Sequence, residues 1–140
     1  MPDGYWFKSS LFEIEPGEDG EINPGIYGRQ LANWLRQKLE AGGYPVEEII
    51  NEDWGRCLMC QRSPFALWVG VGSVDDEEHA DGMIPTKEAV VWHCFAVTEG
   101  GLRMRMFGKK NEIEATRAKV DAALQSILRA EPAILLVPEP

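Results

Sequence analysis

Two amphipathic stretches with helix-capping chemistry bracket a long run of strand-like sequence, and this layout constrains the fold more than any other feature of the chain. The first stretch covers residues 24–41. Asn23 supplies an N-cap and Pro24 takes the first helical position, where a missing N–H costs nothing. Tyr27, Leu31, Trp34, Leu35 and Leu39 then recur at helical spacing, and Gly42-Gly43 ends the run with Arg36 and Lys38 near the negative end of the helix dipole. The second stretch covers residues 112–130. Asn111 opens it with Glu114 three residues on, a variant of the capping box, and Pro132 stops it. Its apolar stripe is Ile113, Val120, Leu124, Ile127 and Leu128.

The sequence between and around these helices reads as strand and turn. Residues 5–15 are β-rich and form a first strand, and residues 16–21 (PGEDGE) an acidic loop. Strands follow over 46–54, 56–62 and 65–74, punctuated by Gly55 and Ser63-Pro64, and then a polar loop over 75–87. Residues 88–97 form a long buried strand, and 102–107 alternate (Leu-Arg-Met-Arg-Met-Phe) as its hairpin partner, with Leu102, Met104 and Met106 inward. Residues 133–137 (AILLV) give a last strand. The predicted order is β-α-β-β-β-β-β-α-β. Short turns make consecutive strands antiparallel, so the expected fold is a single α+β domain over 1–140, a mainly antiparallel sheet with two helices packed on one face.

Charge narrows the function. The chain carries 23 Asp and Glu against 14 Lys and Arg, a net charge of −9. That field opposes nucleic acid and anionic membrane surfaces, and it favours a basic protein partner. No apolar run approaches the roughly 20 residues of a membrane span, and Met1-Pro2-Asp3-Gly4 lacks the basic start of a secretory signal. Three cysteines do not make a complete disulfide framework. A cytoplasmic protein without a cofactor, monomer or homodimer, is the expectation.

Several constellations are candidates for chemistry. Cys57-Leu58-Met59-Cys60 has the spacing of a zinc or thiol-exchange pair, but on a strand its two sulfurs face opposite sides, and the remaining candidates, His79, His93 and Cys94, do not readily complete four ligands. The acidic run 75–81 lacks the alternation and central glycine of a calcium loop. Gly70-Val71-Gly72 is not followed by a helix, as a dinucleotide fingerprint requires. Asn51 to Arg56 (NEDWGR) puts Asp53 and Trp54 at a strand end beside Gly55, where Trp54 can pack over the first helix or act as a ligand platform. Five tryptophans (Trp6, Trp34, Trp54, Trp68 and Trp92) are many for this length, and tryptophan often keeps one edge at an interface.

Asn23-Pro24-Gly25-Ile26-Tyr27-Gly28 together with Glu52-Asp53-Trp54-Gly55 resembles a group of small bacterial proteins that pair an N-P-G-x-Y-G helix start with a D-W-G strand segment. The resemblance spans roughly residues 20–75 and implies a bacterial, stand-alone domain without bringing an activity. The residues themselves favour a non-enzymatic, acidic protein-interaction domain of immunity-like or chaperone-like character, with Asp53, Trp54, Trp68, Trp92 and His93 as candidate binding residues. The alternatives are a small-molecule-binding or hydrolytic domain, its pocket between sheet and helices and lined by Asp53, Trp54 and His93, and a zinc-stapled module using Cys57 and Cys60.

Overall fold

The computed structural model describes residues 4–15, 27–75, 89–100 and 110–140. Their elements run β1 (Tyr5–Ser9), α1 (Arg29–Ala41), β2 (Glu48–Glu52), β3 (Gly55–Gln61), β4 (Ala66–Asp75), β5 (Val90–Glu99), α2 (Lys110–Ala130) and β6 (Ile134–Val137). The six strands form one antiparallel sheet in the order β2-β3-β4-β5-β1-β6, and the fold is α+β as expected. Neighbours in sequence pair from β2 through β5. The N-terminal strand then inserts between β5 and β6, with Phe7 opposite Trp92 on one side and Leu136 on the other. The strand expected over 102–107, the acidic loop over 16–21, most of the polar loop over 75–87 and the Asn23-Pro24 cap lie outside the described residues.

Strand alternation sorts the sheet into two faces. Phe7, Leu58, Val69, Val71, Val90, Trp92 and Cys94 point to the helix layer and are buried there. Helix α1 contributes Leu31, Ala32, Leu35 and Leu39, and α2 contributes Val120, Leu124 and Leu128. The leucines of both stripes and Val120 are as read from the sequence, whereas Ala32 was not read as core and Tyr27 is buried ahead of the helix. Burying one such leucine side chain is worth roughly 1.5–3 kcal/mol.

The ends of the elements differ from the expectation. Helix α1 begins at Arg29 rather than Pro24. Tyr27 and Gly28 are not helical, because Gly28 holds φ at 133°, outside helical space. The Tyr27 N–H donates to Ser73 Oγ on β4 at 3.1 Å instead of entering the helix. The other end is a Schellman motif. Gly43 takes φ 93°, its N–H donates to the Glu40 carbonyl at 3.1 Å, and the Tyr44 N–H donates to the Leu39 carbonyl at 2.9 Å. Helix α2 begins at Lys110, so Asn111 lies inside its first turn and is not the N-cap. Its expected capping partner Glu114 accepts from Arg117 Nε at 2.7 Å. Strand β1 stops at Ser9, and the segment after it packs on α1. There Glu15 accepts from Arg29 at 2.6 Å and from Gln30 at 3.2 Å, and these two donors hold the Glu15 carboxyl below the usual carboxylate range. Across the domain, Tyr5 on β1 donates to Asp121 Oδ2 on α2 at 2.8 Å.

Candidate functional site

The face of the sheet turned away from the helices carries a chain of aromatic rings. On β5, His93 and Phe95 alternate with the buried Trp92 and Cys94, so they project to this face. Trp6 on β1 is in register with His93, and the two rings lie parallel, 3.8 Å apart with 3° between their planes. His93 in turn stacks on Phe95 at 4.9 Å. Phe95 meets Trp54 at 5.6 Å and Trp68 at 5.9 Å, and Trp54 stacks on Trp68 at 5.6 Å. Five rings from β1, β4, β5 and the β2–β3 turn thus touch in an unbroken line. Offset and edge contacts of this kind are worth about 0.5–1.5 kcal/mol each beyond the area they cover.

Glycines make room for this line. Gly70 pairs with Phe95 across β4 and β5, and the Phe95 ring lies flat over it: a Cβ at Gly70 would come within 2.3 Å of Phe95 Cζ. Gly72 pairs with His93, and a Cβ there would meet nothing nearer than the Trp54 carbonyl at 3.5 Å. Above Gly72 the surface therefore dips. The depression, about 290 Å³, has Trp54 and Phe95 on one side, Trp6 and His93 on the other and Val74 at its rim. Gly55 sets the height of Trp54. Its backbone presses so closely on β4 that a Cβ would lie 2.2 Å from the Val71 carbonyl oxygen, and this holds the turn bearing Trp54 down over Gly72.

Among the described residues, carboxylates act on the groups of this face. Burial of the ring lowers the His93 pKa below its ordinary value, with the Glu139 charge opposing, so the imidazole is neutral at pH 7. Cys57, on the same face, has its thiol pushed up to about 11 by burial and then by the charges of Glu52, Glu99 and Glu48, against Arg62. Glu52 and Asp53 are exposed beside Trp54. Ion pairs from Arg62 to Glu47 and Glu48 tie down the far edge of the sheet.

The structure parts the residues singled out from sequence. Trp54, Trp68 and His93 come together. Trp54 packs on Trp68 and Phe95 rather than over α1, because the β2–β3 turn folds toward the opposite face. Trp92 lies on the helix side, 1% exposed, in a T-shaped contact with Phe12. Asp53 lies in the turn beside Trp54. The pocket expected between sheet and helices would have taken Trp54 and His93 as lining, but both project to the other side of the sheet. The described part of the sheet–helix space is filled by Leu31, Leu35, Val69 and Trp92. Trp6, Phe95 and Gly72 belong to the depression and are not among the candidate binding residues read from the sequence. Their signal was the shared parity of His93 with Phe95 and of Trp68 with Gly70 and Gly72.

Cys57 and Cys60 are both free and buried. Cys60 joins the helix-side core, where burial pushes its thiol up to about 11, while Cys57 faces the other way, as the odd spacing requires. Among the described residues, no group of three or more His, Cys, Asp and Glu side chains converges as a metal site. No helix among them is long and apolar enough to cross a membrane. No family model, curated protein or solved structure matches the chain.

Proposed function

We propose that this chain is a non-enzymatic interaction domain that holds a basic protein partner against the helix-free face of its sheet, as an immunity-like or chaperone-like protein would. The observation that carries the reading is the continuous aromatic line Trp6–His93–Phe95–Trp54–Trp68, lying partly open to solvent on a chain of net charge −9. Aromatic clusters at the centre of a surface, with polar residues around them, are where binding energy concentrates in protein interfaces. The exposed Trp54, 39% accessible, is the natural anchor, and Val74 at 42% and Leu135 at 65% extend the apolar surface on the same face. Carboxylates at its margins, Glu52, Asp53, Glu99 and Glu139, would steer a basic surface toward it. The raised thiol pKa values of Cys57 and Cys60 disfavour thiolate chemistry at neutral pH, which points the same way.

The test is calorimetric titration with a basic and an acidic globular protein of similar size, at low and high salt. The expected result is saturable binding of the basic protein that weakens with salt and is lost in the Trp54→Ala/Trp68→Ala double variant. Equal binding of both proteins, or binding indifferent to the double variant, refutes the reading.

A further inference from the structure

The depression above Gly72 says more about the partner than the charge alone does. Its volume, about 290 Å³, lies at the small end of the roughly 300–1,000 Å³ range of ligand pockets, so it takes one side chain or a fragment of similar size. Its sides are aromatic. The Trp6–His93 stack, with rings parallel within 3°, forms one, and Trp54 with Phe95, tilted by 48° to each other, forms the other. Its floor is bare backbone at Gly72.

Two cationic side chains could fill such a space, and they differ in shape and hydration. A guanidinium is planar, weakly hydrated and stacks on aromatic faces, whereas an ammonium is compact and keeps its water. Aromatic sides, with the Trp54 ring facing a shallow glycine floor, match the guanidinium. The nearby charges match a cation: the exposed Glu52 and Asp53 precede Trp54 in the chain, and the Glu139 charge reaches His93. Burial favours the neutral form of His93, so this side of the depression adds little positive charge. Lys8 lies further along the same face of β1, in register with Leu135 and away from Gly72.

We infer that the depression over Gly72 is a socket for an arginine side chain of the basic partner, stacked between the Trp6–His93 pair and Trp54. The inference rests on the reading that the partner is basic and narrows it to arginine as the anchoring residue. Gly72 is then a specificity-determining position, because any side chain there raises the floor. A substitution at Gly72 is compatible with the strand, since its φ is not positive and its nearest obstacle is at ordinary contact distance.

The experiment titrates nona-arginine, nona-lysine and nona-glutamate peptides against the full chain and its Gly72→Ala and Gly72→Val variants, read by tryptophan fluorescence and calorimetry. Circular dichroism melting and sedimentation run alongside. Nona-arginine is expected to bind at least tenfold tighter than nona-lysine. Gly72→Val should remove that preference while leaving the weaker lysine binding in place, and Gly72→Ala should fall between. Should Gly72→Val not fold, the Gly72→Ala series and the arginine-to-lysine ratio decide. Equal affinity for both cationic peptides, unchanged by either variant, overturns the socket and leaves the basic-partner reading standing. Binding of neither cationic peptide overturns both. A native dimer that Gly72→Val converts to monomer, with no peptide competing for it, assigns the depression to a second copy of the chain and also overturns the socket.

Discussion

Gly70 and Gly72 sit two residues apart on the same strand and face, yet substitution by alanine should move stability in opposite directions. At Gly70 a methyl group would occupy the space of the Phe95 ring, 2.3 Å from Cζ, so the ring must swing away. Phe95 contacts Trp54, Trp68 and His93. Losing two of these three ring pairs costs about 1–3 kcal/mol at roughly 0.5–1.5 kcal/mol per pair. Replacing glycine offsets about 0.4–1 kcal/mol of that by restricting the unfolded chain. The expected net loss for Gly70→Ala is about 1–2 kcal/mol. At Gly72 only the favourable contribution remains, because the added carbon meets the Trp54 carbonyl at 3.5 Å and nothing nearer. Gly72→Ala should therefore gain about 0.4–1 kcal/mol. For a chain of this length a kcal/mol moves the melting temperature by roughly 3–5 °C. The two variants should then melt about 4–15 °C apart, with Gly70→Ala the lower. Urea denaturation followed by circular dichroism and tryptophan emission checks the order, and the emission should also shift in Gly70→Ala as Trp54 and Trp68 lose their neighbour. Equal stability, or the reverse order, would refute the account of how the aromatic line is seated.

Three further outcomes follow from the titratable groups and the core. The Tyr5 hydroxyl, pushed up to about 12 by burial and by its bond to Asp121, should still be un-ionised at pH 11 by ultraviolet titration; its neutral form is favoured by folding, so stability declines as pH rises above the ordinary tyrosine value of 10.0. Tyr5→Phe, which removes that bond to a carboxylate, should cost about 1.5–3 kcal/mol in denaturant. His93 should titrate below 6.5 by proton NMR; since folding favours its neutral form, its contribution to stability is whole above 6.5 and is lost as pH falls from there through the folded-state value. Cys57 and Cys60 should react with an aromatic disulfide reagent at pH 8 far more slowly in the folded protein than in urea, and equal rates would contradict their burial and their pKa values of about 11.

Much of the architecture was legible because local patterns and the tertiary structure agree. Leu31, Leu35 and Leu39 recur at helical spacing and line the core, and Gly42-Gly43 closes α1 with a Schellman turn. Strand runs separated by short turns pair in sequence order from β2 to β5. The starts of the helices were less legible. Asn111 and Glu114 have a capping pattern, but Arg117 one turn on offers Glu114 a charged partner, and the helix begins two residues earlier, at Lys110. The N-P-G run suggests an entry at Pro24, yet Gly28 at φ 133° defers the first helical residue to Arg29.

The candidate site was only partly legible, since its residues come from distant parts of the chain. Sequence alone determines that this is an α+β chain of net charge −9 with many tryptophans, and that adjacent strand residues such as Trp92 and His93 must face opposite ways. It does not determine which of the two faces inward, because both are large rings and a one-residue shift in register exchanges their roles. That was decided by α1 and α2 covering the side of Trp92, and by β1 inserting between β5 and β6 so that Trp6 lies on His93. Residues 6, 54, 72 and 93 are brought together by strand order and register, which are long-range properties of the whole sheet, and no local run of the sequence carries them.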